Sequence, residues 1–356
     1  MTADGLSSAA PDAVDVVDVV ALGESMVTFL PDRPGRLADV PVFRRGIGGA
    51  ESNVVCALAA AGHSARWVGR VGADGFGQHL VERIGSYGVD TGAVRVDPAR
   101  PTGIYFRTAA DRATDAHEVA YYRAGSAASA MAAGNTDLAA LDAGRVLHLS
   151  GITAALSPGC RELLHTLTAP REGRPVVSFD VNHRPGLWRE EGDDALVLLD
   201  LARRADIVFV GTDEAEDAWG TRGGVEEVRR LLPEPRVLVV KEGPLGATVF
   251  ERTDSGESSV RVPALTVDVV ATVGAGDAFA AGFLSATLRG LPVRDRLRHG
   301  HLMAAAALTV PGDLAVPPAR DHADRLAALD DDAWGRLRLG PGWTGAGRFT
   351  EETSTP

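Results

Sequence analysis

The sequence predicts an α/β fold: a three-layer α/β/α sandwich with a mostly parallel central sheet, and a small β-sheet lid at one edge. Three observations predict it. Apolar, β-branched runs of strand length recur at 16–22, 146–149, 176–179, 207–210 and 237–240. Helix-like segments at 52–61, 76–87, 158–167 and 193–202 alternate with them. Two further segments, 27–45 and 102–123, break this alternation with short strand-like stretches punctuated by Pro, Gly and charge.

Each element has a physical reason. Strands that are apolar on both faces belong inside a sheet covered on both sides, and alternation with helices makes that sheet parallel. The first two helical segments stop at Gly62 and Gly88, and glycine just past a helical run ends it. Ligands in such sheets bind beyond the carboxyl ends of the strands. The two irregular segments carry no helical period, and three of the four tyrosines (Tyr105, Tyr121, Tyr122) fall in the second. That clustering favours a lid over the ligand edge rather than a pair of surface hairpins. The expected organisation is one domain over 16–330, flanked by a loose tail at 1–15 and a weakly ordered one at 335–356, both small and polar in composition.

Composition excludes several classes of function. The chain has 356 residues and a formal net charge of −12, which argues against nucleic acid or an anionic membrane as partner. No apolar run approaches the ~18 residues of a membrane span. The N-terminus lacks a basic region, so it does not read as a signal peptide. Cys56 and Cys160 are the only cysteines, too few for a disulfide framework or a zinc cluster; buried free thiols in a reducing cytoplasm are expected. His299 and His301 read as a polar helix face rather than a metal pair. Of 36 basic residues only Lys241 is a lysine, which singles it out against an arginine-rich background.

The stretch "TVGAGDAFAAG" (272–282) places a bare glycine turn and a carboxylate where a helix begins. A helix start carries unpaired N–H groups and partial positive charge. Glycines let a ligand approach those groups, so Gly274, Ala275 and Gly276 form an anion cradle suited to phosphate. Asp277 beside a bound anion is unfavourable for plain phosphate binding. It makes sense as the acceptor of a proton from a hydroxyl that attacks the phosphate. A dinucleotide fingerprint would need Gly at Phe279, and a Walker A loop would need Lys-Ser/Thr where Asp277 and Ala278 stand. A plain strand-to-helix turn remains the bland alternative for the tetrapeptide alone.

Other glycine motifs accompany it. "RRGIGGAESNVVCALAAAG" (44–62) puts Gly48 and Gly49 just before a helix with Asn53 one turn in, "GRVGADGFG" (69–77) follows, and "KEGPLGATVF" (241–250) reads as strand, glycine turn and strand. With these the chain resembles the ribokinase-like (PfkB-type) carbohydrate kinases. "GGAESN" with the glycines through Gly77 resembles the family's first signature, and Thr272 with Gly274–Asp277 its second, DTxGAGD. Within the family the chain is most similar to 2-keto-3-deoxygluconate kinases, through "YYRAGSAAS" (121–129), "DVNHRPGLW" (180–188) and the "GGAE" form with Glu51.

The resemblance implies ATP and Mg²⁺ as cofactors and a sugar acid, 2-keto-3-deoxygluconate, as substrate, phosphorylated on its terminal hydroxyl. It implies that Asp277 is the general base and that the N–H groups of Gly274, Ala275, Gly276 and Asp277 hold the transferring phosphoryl group. Gly48, Gly49, Asn53, Tyr105, Tyr122, Arg123 and Arg184 would bind the sugar acid, the arginines gripping its carboxylate. Asn182, Lys241, Gly243, Gly246, Thr272, Gly274, Gly276 and Gly312, with helix 301–310, would bind ATP, and Glu214 would reach the metal through water. Two positions depart from the family pattern: Gly211 replaces the Asn of N-x-x-E, and Ala271 the first Asp of DTxGAGD. Both lie on the metal side, where Asp213 could compensate. A neutral-sugar kinase such as a fructokinase is the alternative enzyme, and a non-catalytic sugar or nucleotide sensor the alternative of another class; a nicotinamide dehydrogenase is disfavoured by the missing glycine. Exposed lid strands invite a second copy, so a homodimer through the lid is expected.

Overall fold

The computed structural model describes residues 15–33, 35–108, 118–188 and 194–345. The expected N-terminal tail up to residue 14, the middle of the second lid segment at 109–117, the start of the fourth expected helix at residue 193, and residues 346–356 lie outside the described residues.

The main sheet has eight strands: β1 (Val17–Leu22), β4 (Ala65–Val68), β9 (Gly144–Ser150), β10 (Val176–Asp180), β11 (Ile207–Gly211), β12 (Val237–Lys241), β13 (Ala247–Thr253) and β14 (Gly256–Val262). Their order is β14-β13-β12-β11-β10-β9-β1-β4. Every pairing from β4 to β12 is parallel, and β12-β13-β14 is an antiparallel meander at the far edge.

Period-two alternation sorts each strand between two cores. Val19, Ala21, Phe209, Val237 and Val239 face one; Val20, Leu22, Val208, Val210, Leu238 and Val240 face the other. The first core is covered by α1 (Ala50–Ala60), α2 (Gly75–Gly85), α9 (Ala275–Leu288), α10 (Val293–Leu308), α11 (Arg320–Ala327) and α12 (Asp331–Arg336). The second is covered by α3 (Leu138–Asp142), α4 (Gly151–Ala155), α5 (Pro158–Thr168), α6 (Asp194–Arg204), α7 (Thr212–Trp219) and α8 (Gly224–Leu231). The result is the three-layer α/β/α sandwich. Cys56 and Cys160 are buried free thiols, one in each core, and burial pushes the Cys56 thiol up to about 12.

A separate four-stranded sheet holds β2 (Met26–Pro31), β3 (Phe43–Gly48), β7 (Ile104–Arg107) and β8 (Val119–Tyr122), in the order β3-β2-β7-β8. Two short pairs complete the strands: β5 (Arg70–Gly72) with β6 (Arg95–Asp97), and β15 (Thr266–Val267) with β16 (Arg338–Leu339). Residues 335–345, assigned to a loose tail on composition, hold β16 and a 3₁₀ turn at Trp343–Gly345. Trp334 just before them is buried and donates its indole N–H to the Pro263 carbonyl at 3.0 Å. The two histidines of α10, read as a polar helix face, are both buried, His299 against Asp324 and His301 against the Val262 carbonyl. Among the described residues no helix is long and apolar enough to cross a membrane.

Candidate active site

The carboxyl ends of β1, β10, β11 and β12, the N-termini of α1 and α9, and one face of the small sheet meet at one place. Gly274 is the N-cap of α9, in the left-handed region at φ 77°. A Cβ there would also lie 2.3 Å from the Asp313 carbonyl oxygen. Conformation and space both demand glycine. The helix behind it is held by core aromatics: Phe283 meets Phe209 of β11 edge-to-face at 5.5 Å, a contact of about 0.5–1.5 kcal/mol beyond its area. The first N–H groups of α9 have no intrahelical acceptor.

Asp277 lies in this first turn, half-buried. Asn53 Nδ2, from the first turn of α1, donates to its Oδ2 at 2.8 Å. Burial pushes the Asp277 carboxyl up to about 8; the Asn53 hydrogen bond and the Arg184 charge pull it down, while the carboxylates of Asp180 and Asp313 push it further up. Asn53 Oδ1 is buried with no hydrogen-bond partner among the described residues, which marks it for a ligand donor.

Lys241, at the end of β12, places its ammonium 3.1 and 3.2 Å from the two carboxylate oxygens of Asp180 at the end of β10. The same nitrogen is 3.7 Å from where a Cβ on Gly276 would stand. Desolvation works against the charged lysine, but Asp180, Glu214 and Asp277 outweigh it and hold its pKa above the ordinary value. Glu214 caps α7, accepting from the Gly211 N–H at 2.8 Å through Oε2, and its Oε1 stands 3.4 Å from Arg184 Nη1. Asp213 is exposed. Arg184 is half exposed and also donates to the His183 carbonyl.

The small sheet contributes Tyr105 and Arg107 of β7. Tyr105 donates to Asp313 Oδ2 at 2.9 Å, and Arg107 Nη2 to Asp313 Oδ1 at 2.7 Å. Arg107 and Asp313 are buried, so this ion pair is nearly dry. Gly48 lies against it: a Cβ there would fall 2.3 Å from the Tyr105 hydroxyl and 2.6 Å from Asp313 Oδ2.

Tyr122 does not join this group, which corrects its expected place in the sugar pocket. Register pairs Tyr105 with Tyr121 and Ile104 with Tyr122. Consecutive side chains point to opposite faces, so Tyr121 accompanies Tyr105, with ring centroids 5.4 Å apart. Tyr122 turns to the other face, against Phe106, and is 64 % exposed. Arg123 returns to the Tyr121 side, 5.9 Å over that ring. It is not a free cation: it is paired with the buried carboxylate of Glu24, which also accepts from Ser126. Glu51, fully buried, accepts from Ser150 at 2.7 Å and Thr153 at 2.6 Å, and burial holds its carboxyl above the usual range.

The expected nucleotide side is more dispersed. Asn182 follows β10 with φ 42°, unusual for a residue with a side chain, and its buried Oδ1 has no hydrogen-bond partner among the described residues; such strain marks functional positions. Gly243 has φ 55° and open space around it. Gly246 does not: a Cβ there would strike the Val262 carbonyl at 2.3 Å, so this glycine admits its own sheet rather than a ligand. Thr272 is exposed, Gly312 half-buried and Gly49 packed against the Glu24 carbonyl. Sequence reasoning missed Asp313, Asp180, Tyr121 and Glu24. Asp180 and Tyr121 stood inside quoted motifs, and Asp313 directly follows Gly312.

Comparison with known proteins adds to this geometry. A family model described as "pfkB family carbohydrate kinase" matches residues 17–320. The chain is 34 % identical over 310 residues to a 2-dehydro-3-deoxygluconokinase of Bacillus subtilis, covering 86 % of this chain and 94 % of that one. It is 32 % identical over 312 residues to a protein of Arabidopsis thaliana named probable fructokinase-6, covering 84 % and 79 %. A sugar kinase from Pyrococcus horikoshii, solved in complex with ATP, superposes with a TM-score of 0.74 at 25 % identity, covering 85 % of this chain and 96 % of that one.

Proposed function

The chain belongs to the pfkB family of carbohydrate kinases, and on that premise we propose that it transfers the γ-phosphoryl group of ATP to the terminal hydroxyl of 2-keto-3-deoxygluconate, giving the 6-phosphate. The observation that carries the reading is Asp277 beside the bare N-terminus of α9, facing Asn53 across the cleft. The substrate hydroxyl loses its proton to the Asp277 carboxylate as its oxygen bonds to phosphorus, and the bond from phosphorus to the ADP oxygen breaks. The N–H groups of Gly274–Asp277 receive the charge of the transferring group. Asn53 Oδ1 and Gly48 take the sugar's hydroxyls, and Tyr105, Tyr121 and Arg123 close over it.

ATP and Mg²⁺ are typical of the family. The bare cradle and the unpartnered Asn182 Oδ1 suit a nucleotide. Among the described residues no group of three acidic, His or Cys side chains could hold a metal, and Glu214 Oε2 already caps α7. Glu214 would hold the metal through water, and the ion would supply charge neutralisation at the nucleotide phosphates.

A neutral sugar is the second reading. It is favoured by one observation: Glu24 already balances the charge of Arg123. Turnover on 2-keto-3-deoxygluconate, its galactonate epimer and fructose, with product identified by mass, separates the two. Greater kcat/KM on fructose overturns the sugar-acid assignment. The exposed Tyr122 face of the edge strand β8 is the surface we assign to pairing with a second copy.

A further inference from the structure

The Asp180–Lys241 pair has no obvious structural duty. β10 and β12 are not neighbours, because β11 lies between them, so the pair spans the carboxyl end of a third strand. A buried ion pair is weak support for stability, since a packed apolar pair of the same size is commonly as good or better. Nor is lysine the natural choice for a carboxylate in this chain. Every other basic residue is arginine, whose planar fork binds a carboxylate in bidentate fashion. Lysine differs in being a compact point charge with three rotatable donors, free to exchange one acceptor for another.

Its position shows what a second acceptor would be. Asp180 is closed off, with 5 % of its side chain exposed, whereas Lys241 keeps 19 %. Gly276, 3.7 Å from the ammonium measured at its absent Cβ, is exposed. The ammonium therefore borders the space above the N–H groups of α9. It stands on the side of the site where Gly211 and Ala271 supply no polar side chain, with Asp277 close enough to raise its pKa.

We infer that Lys241 is a catalytic cation: with nucleotide bound, its ammonium donates to an oxygen of the transferring phosphoryl group while Asp180 holds it in place. This rests on the kinase reading above, with Asp277 as base. It places the lysine on the reacting phosphate rather than on the remainder of the nucleotide. The charge it supplies is worth most as the phosphoryl group moves, so its loss falls on kcat.

The test compares wild type with Lys241→Met, Lys241→Ala and Lys241→Arg on whichever sugar the wild type phosphorylates best. Lys241→Met should lower kcat by about 10²–10³ with the KM for sugar unchanged within error. Ethylammonium chloride, added to Lys241→Ala and matched for ionic strength with sodium chloride, should restore part of kcat in a saturable way. Lys241→Met with wild-type kcat, or Lys241→Ala that is not rescued, overturns the inference and leaves a structural ion pair. Should the Met and Ala variants fail to fold, Lys241→Arg decides. It keeps the charge and the carboxylate partner but replaces the compact point charge with a planar fork that binds the carboxylate in bidentate fashion. A clear loss of kcat supports the inference, and full activity overturns it. A wild type that phosphorylates no sugar in the panel overturns the kinase reading itself, an outcome distinct from active wild type beside equally active Lys241→Met.

Discussion

Asn53 and Asp277 come from opposite ends of the chain, 224 residues apart, and meet at 2.8 Å through a single amide-to-carboxylate hydrogen bond. Each sits in the first turn of its helix. The bond orients one carboxylate oxygen; on the proposed mechanism the other receives the hydroxyl proton.

On the proposed mechanism, Asp277→Asn removes the base and preserves the shape of the site. Loss of a positioned general base costs about 10²–10⁴ in rate. The expected result is a fall in kcat of that order with sugar affinity, measured by calorimetry, nearly unchanged. Near-normal turnover would remove Asp277 from the base role.

The pH dependence follows from the raised Asp277 carboxyl. A base acts only when deprotonated, so kcat/KM should rise about tenfold per pH unit on the acid side and level off near the free-site value of about 8. The Asn53 hydrogen bond lowers that value, so Asn53→Ala should move the midpoint to higher pH. A profile flat from mildly acidic to alkaline pH contradicts the assignment.

The same shift has a stability consequence. The folded carboxyl is raised above its unfolded value, so its contribution is complete at low pH and is lost as pH rises through about 8. Asp277→Asn, a permanently neutral substitute, should therefore have a higher Tm than wild type at alkaline pH. That advantage should shrink towards the ordinary carboxylate range. Differential scanning calorimetry at several pH values checks this.

Adjacent tyrosines should behave oppositely. Tyr121 faces Tyr105 and Tyr122 faces Phe106. Tyr121→Ala should raise the KM for sugar by about tenfold, the size of one lost close contact, whereas Tyr122→Ala should leave it unchanged. Steady-state kinetics decides, and the reverse pattern would restore Tyr122 to the pocket.

Asp313→Ala should be strongly destabilising, because it strands the buried Arg107 guanidinium. Removing one partner of a buried pair costs about 3–5 kcal/mol. Arg107→Met combined with Asp313→Leu should recover much of the loss in urea unfolding while activity stays low.

The sandwich was legible because each parallel strand is a run of apolar residues facing two cores. β4 was not, since Arg66 interrupts its run; the structure buries that side chain against Asp90 at 2.6 Å. β14 was hidden by its polar edge-strand sequence, Gly256–Val262. In the site, the turn at Gly274 announced itself because a backbone requirement is written in glycine. Asp313 did not, because its meaning depends on Tyr105 and Arg107, 208 and 206 residues away. Tyr121 and Tyr122 cannot be told apart by composition; only strand register assigns their faces.

Asp313 touches both halves of the cleft, with its carboxylate on Tyr105 and Arg107 and its carbonyl against Gly274. On the proposed mechanism, a sugar that draws the small sheet inward would pull on the residue against which the phosphate seat is built. The two co-substrates are then not independent guests. Whatever factor one gains from the presence of the other must be returned in equal measure.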